Sequence, residues 1–90
     1  MEFEWDVPKA LTNSHKHGVT FEEATKAFAD PFAIDWPDAC DFKERTVIVG
    51  QFQGKFHYVV YTERPPNIRL ISARRATKNE QARYYHENFS

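Results

Sequence analysis

Ninety residues, of which 41% are hydrophobic, 16% aromatic and 28% charged, predict one small globular domain spanning residues 1–90 and exclude a disordered chain. The formal net charge of −1 gives no argument for nucleic-acid binding by itself, but it conceals an asymmetry: through Glu63 there are six Lys or Arg against eleven Asp or Glu, and from Arg64 onward six against two, so the last third can present a local basic surface. The single cysteine, Cys40, allows no intramolecular disulfide, and with neither a signal peptide nor an apolar run long enough to span a bilayer the expectation is a cytoplasmic protein with no membrane partner.

Residues 1–5 alternate around Phe3 and Trp5 and predict a short strand. Asp6 supplies an oxygen-bearing N-cap, and Pro8 sits in the first turn, where its missing amide costs nothing. A helix over residues 7–16 follows, stopped by Gly18. Thr20 and Glu23 form a capping box, with Val19 placed to staple against Ala24. The second helix runs to about Ala29, with Phe21, Ala24, Ala27 and Phe28 on one face, and Asp30-Pro31 ends it. Residues 32–35 read as a short strand, and residues 36–43 as an acidic loop. Thr46–Phe52 and residues 56–62 are strands joined at Gln53-Gly54. Pro65-Pro66 marks a loop over residues 64–67. Residues 68–74 form the last strand, and Thr77 with Glu80 caps a final helix over residues 77–87. The short late connections demand antiparallel pairing. The expected fold is α+β: an antiparallel sheet of about four strands, with two N-terminal helices packed on it and a C-terminal helix.

Two blocks of residues resemble the BrnT family of toxins. The first is Phe3-Glu4-Trp5-Asp6, Lys9, Asn13 and the run from Lys16-His17-Gly18 through Thr20-Phe21-Glu22-Glu23-Ala24, with Ala29-Asp30-Pro31 following. The second is Val60-Tyr61-Thr62-Glu63-Arg64, then Ile71-Ser72-Ala73-Arg74-Arg75-Ala76-Thr77 with Glu80 and Tyr84. Pro65-Pro66 departs from the more usual glycine-containing turn, and residues 35–44 match no motif. The resemblance implies a RelE-like fold and a ribonuclease toxin of a type II toxin–antitoxin system that cleaves RNA and arrests translation. It also implies a cognate antitoxin partner that binds DNA, so that this chain meets DNA only indirectly.

Metal-independent RNA cleavage requires deprotonation of a 2′-hydroxyl, stabilisation of charge on phosphate, and protonation of the leaving 5′-oxygen. Arg matches phosphate oxygens with its planar fork. The candidate catalytic residues are Arg64, Arg74 and Arg75, together with His17 as a proton carrier. At the helix end His17 also has a structural alternative, binding the last carbonyls. Strict alternation puts Ile68, Leu70, Ser72 and Arg74 on one face of the last strand and Arg69, Ile71, Ala73 and Arg75 on the other. Arg74 and Arg75 then share a face only if the strand ends or bulges between them, and Arg69 reads as a solvated strand residue. Lys9 and Lys16, seven residues apart, project from one side of the first helix and are candidates to bind substrate, as are Tyr61 and Tyr84 by stacking on bases.

No cofactor or metal is expected. His15 and His17 are spaced i, i+2 and do not share a helix face, and Asp35, Asp38 and Asp41 lack the glycine and terminal Glu of a calcium loop. The alternative to an RNA-cleaving enzyme is a non-catalytic, degenerate interaction module that binds an antitoxin-like partner and contributes to operon autoregulation.

Overall fold

A computed structural model describes residues 2–38 and 44–89. The elements are β1 (Glu2–Glu4), α1 (Val7–His17), α2 (Phe21–Ala24), a 3₁₀ turn (Thr25–Ala29), β2 (Ile34–Pro37), β3 (Thr46–Phe52), β4 (Lys55–Arg64), β5 (Asn67–Arg75) and α3 (Lys78–Phe89). Cys40 and most of the expected acidic loop lie outside the described residues.

Local chemistry sets most boundaries. The Lys9 amide donates to the Asp6 carboxylate at 3.1 Å, and α1 ends where Gly18 takes φ 69° and returns its amide to the Ser14 carbonyl at 2.8 Å. Thr20 caps α2 through the Glu23 amide at 3.0 Å. The Glu23 carboxylate does not close the expected box; it meets His57 Nε2 at 2.9 Å. The second expected helix is α-helical for only four residues before it tightens into the 3₁₀ turn. There the Thr25 hydroxyl donates back to the Glu22 carbonyl at 2.7 Å, a side-chain bond that competes with regular helix. At Gln53 and Gly54 both φ angles are positive, 52° and 78°, as the tight β3–β4 hairpin requires.

The sheet has five strands in the order β1-β5-β4-β3-β2, and it is mixed: β1 runs parallel to β5, whereas the other pairs are antiparallel. The four-strand, all-antiparallel expectation is corrected here. The hairpin argument constrains only neighbours in sequence, and β1 is separated from β5 by nearly the whole chain, long enough for a parallel return. Val19, Phe21, Ala24 and Ala27 close one face of the sheet over Ile48, Val59, Tyr61, Leu70 and Ala73. On the opposite face Tyr84 of α3 packs with Val47, Val49, Phe56 and Val60. The N-terminal and C-terminal helices therefore cover different faces.

A bulge changes the faces of β5. Val60 pairs with Ser72 while Tyr61 pairs with Leu70, which leaves Ile71 as an extra residue. One extra residue inverts the alternation beyond it. Ile68, Leu70 and Ala73 belong to the α1–α2 side, whereas Ile71 packs on the α3 side, together with Ser72 and Arg74, which pair across from Val60 and Tyr58. Arg69 pairs with Thr62, two residues from Val60, and so also looks to that side. The strict alternation expected for this strand is thus replaced by a face carrying Arg69, Ile71, Ser72 and Arg74. Arg74 and Arg75 remain on opposite faces, since the bulge does not fall between them.

Asn13 fixes α1 to this strand. It is 7% exposed. Its Oδ1 accepts from the Ala73 amide at 3.0 Å, and its Nδ2 donates to the Ala73 carbonyl at 2.8 Å and to the Val19 carbonyl at 3.1 Å. At the next residue of β5, Arg74 latches α3. Its guanidinium meets Glu80 through two bonds of 2.9 Å and lies 3.8 Å from the Tyr58 ring centre. Glu80 also completes the expected reciprocal box with Thr77, at 2.8 and 3.2 Å. Burial pushes the Glu80 carboxyl up, but bonds from Arg74 and Thr77 outweigh it and hold the group below its ordinary value.

Two outcomes follow. Asn13→Ala strands the Ala73 amide and two carbonyls in a buried setting, and it is expected to lower stability by about 3 kcal/mol in urea unfolding; a loss below about 1 kcal/mol would contradict the bracket. Because the Glu80 carboxyl titrates lower in the folded than in the unfolded chain, its contribution is present above the ordinary carboxylate range and is lost as pH falls through the folded value. The stability gap between wild type and Glu80→Gln should therefore narrow between about pH 6 and about pH 3, and a gap independent of pH would count against the latch.

Candidate nucleic-acid interface

The bulge and the Asn13 bracket together create a groove. The side of α1 that carries Asn13 also carries Lys9, Thr12, Lys16 and His17, and faces Ile71 and Ser72 across a cavity of about 340 Å³. A second cavity of about 350 Å³ adjoins it. Lys9 and Ile71 line both, and Arg45, Thr62, Arg64 and Arg69 complete the second. Among the described residues lining either cavity, none is acidic and five are Lys or Arg.

The cations differ in their commitments. Arg69 donates to Glu4 at 2.8 Å. Hydrogen bonds from Asn67 and Arg69 hold the Glu4 carboxyl below its ordinary value, with a smaller contribution from the charge of Arg64. Lys9, Lys16 and Arg64 have no ion-pair partner among the described residues. Such uncompensated charge lining a concave surface focuses a positive potential that concentrates anions. Arginine forks suit phosphate oxygens, and an imidazole is a common side chain for proton transfer.

The candidates read from the sequence therefore separate. The structure brings Lys9, Lys16, His17 and Arg64 to one groove. Arg74 lies on the same face of β5, but its guanidinium is held by Glu80 and stacked on Tyr58. Arg75 is exposed on the other face, opposite His57 in register. Tyr61 and Tyr84 are buried, 6% and 4% exposed, in two different cores. Phe28 meets the Tyr61 ring edge-on at 5.0 Å, and the Tyr84 hydroxyl donates to Asp30 at 2.7 Å. Neither ring has a face open for stacking on a base. Burial raises the phenol pKa of both, and at Tyr84 the bond to Asp30 adds to the rise.

Ser72, Thr62 and Arg45 line the groove without having been candidates for the site, and Arg69, set aside from the sequence as a solvated strand residue, lines it too. For Arg69 and Ser72 the missing signal was the bulge, which no alternation pattern reveals. Thr62 lies within the second family-like block, but no spacing marks it or Arg45 for the groove. His57 is fully buried, and its bond to Glu23 ties α2 to β4 away from the groove. Among the described residues no group of three or more His, Cys, Asp or Glu is placed to hold a metal, and no helix is long and apolar enough to cross a membrane.

No individual curated protein matches the sequence. The family model described as "Ribonuclease toxin, BrnT, of type II toxin-antitoxin system" matches residues 5–80. That span runs from the end of β1 to the Glu80 latch, and it contains Asn13, the bulge and both groove walls. The chain belongs to the BrnT family of ribonuclease toxins of type II toxin–antitoxin systems.

Proposed function

We propose that this chain is an endoribonuclease that cleaves RNA without a metal ion, arrests translation in the cytoplasm by doing so, and is neutralised by a cognate DNA-binding antitoxin. The observation that carries the reading is the groove, with cations on both walls and no acid among the described lining residues. A polyanion is the ligand such a lining favours.

Transphosphorylation matches the side chains available. A 2′-oxygen forms a bond to phosphorus as the 5′-oxygen leaves, which yields a 2′,3′-cyclic phosphate and a 5′-hydroxyl. His17 accepts the 2′-hydroxyl proton. Arg64 holds the non-bridging oxygens as negative charge develops, with Arg69 beside it tied to Glu4. Lys9 and Lys16 contribute point charges from the opposite wall, and the leaving oxygen takes a proton from solvent or a groove cation. In this reading Arg64 and Lys9 take the place of Arg74 and Arg75 as the leading phosphate contacts. Arg74 serves the groove indirectly by holding α3 to the end of β5.

The test is pulsed expression in a bacterial host, comparing wild type with a Lys9→Ala, Arg64→Ala double variant at matched soluble levels. Wild type should arrest growth and fragment RNA, and the double variant should cleave at least about 100-fold more slowly. Intact RNA and normal growth with wild type would overturn the ribonuclease reading and leave an interaction module.

A further inference from the structure

We infer that the groove is a two-nucleotide site for single-stranded RNA, with Lys9 seated on the phosphodiester that joins the two units. The identity of the ligand rests on the ribonuclease reading; the division of the groove rests on geometry.

The two cavities, about 340 and 350 Å³, are nearly equal and adjoin at one place. Each lies near the lower end of the range for small-ligand pockets, about 300–1,000 Å³, which suits one nucleoside-sized group apiece. Their shared residues are Lys9 and Ile71. Ile71 is the extra residue of the bulge, so the irregularity in β5 is what supplies an apolar partition between the halves. Bases and sugars on either side can pack against it.

Two nucleosides are joined by a single phosphodiester carrying one negative charge. Lys9 is the cation common to both halves, and it has no ion-pair partner among the described residues. Its backbone amide is tied to Asp6, so the flexible stem swings from a fixed point. The two halves differ in character. His17 and Ser72 line the first cavity and offer groups for proton transfer and hydrogen bonding, whereas Arg64 and Arg69 line the second and give that half its positive charge. A duplex keeps its bases stacked and paired, so it cannot place consecutive nucleotides in separate cavities; unpaired, splayed nucleotides can.

The experiment titrates the protein with non-cleavable 2′-O-methyl adenylates and uridylates of one, two and four nucleotides, and with a 2′-O-methyl duplex, following fluorescence anisotropy. Affinity should step up at least about tenfold from one nucleotide to two, and change less than about threefold from two to four. Lys9→Ala should abolish the step, Lys9→Arg should retain it, and the duplex should bind at least about tenfold more weakly than the single strand. A smooth rise with length, an equal loss for one and two nucleotides on Lys9→Ala, or equal duplex binding would overturn the inference. The 2′-hydroxyl oligomers are assayed for cleavage alongside. Cleavage without the step leaves the ribonuclease reading standing and removes this one; the step without cleavage does the reverse.

Discussion

The pairing of one side-chain amide with one backbone unit organises the rest of this molecule. β1 satisfies the outer edge of β5 only at Asn67, Ile68 and Arg69. Further along, an unpaired edge would leave backbone donors and acceptors without partners in a buried setting. Asn13 fills that place as a strand would, accepting from and donating to the same residue, Ala73. Its second amide hydrogen goes to Val19, the residue that leads into α2, so a single side chain ties helix, strand and following turn. Asparagine is suited to this because it offers a donor pair and an acceptor at the spacing of a peptide group.

The groove follows from that bracket through rigid geometry. The helix that Asn13 holds carries Lys9, Lys16 and His17, so their distance from β5 is set by hydrogen bonds and not by loop conformation. The bulge at Ile71 completes the arrangement from the other side. It turns the second half of β5 over, so that Arg69 and Ser72 share a face that regular alternation denies them. Acidic residues elsewhere in the chain are kept busy: Glu4 meets Arg69, Glu23 meets His57, Asp30 meets Tyr84 and Gln51, and Glu80 meets Arg74. None of these carboxylates is among the described residues that line the two cavities.

Much of this was legible in the residues. Asp6, Pro8 and Gly18 marked α1 because caps are local chemistry, and Gln53-Gly54 marked the hairpin for the same reason. The family was legible from blocks at both ends, and the α+β class from the order of elements. What escaped was non-local. The parallel return of β1 depends on a distant edge, and the bulge depends on pairing between β4 and β5. Neither leaves a periodic trace. The groove shows the difference: Lys9 and Lys16 stood on a regular helix whose spacing put them on one side, while the face of Arg69 depends on an alternation that the bulge breaks. Tyr61 and Tyr84 show the converse, since a tyrosine that packs in a core and one that awaits a base look identical in sequence. Arg74 lies within the family-like block, yet its position answers to α3. A motif residue can owe its place to the scaffold.

Under the proposed function α1 and the bulged face of β5 form one RNA-binding surface. The most direct measurement is the amide chemical-shift map of the isotopically labelled protein on addition of a non-cleavable single-stranded 2′-O-methyl RNA. Shifts are expected to concentrate at Lys9, Thr12, Lys16, His17, Arg64, Arg69, Ile71 and Ser72, with Arg75 and the 3₁₀ turn undisturbed. Shifts centred on the opposite face of the sheet, or none at saturating RNA, would contradict it.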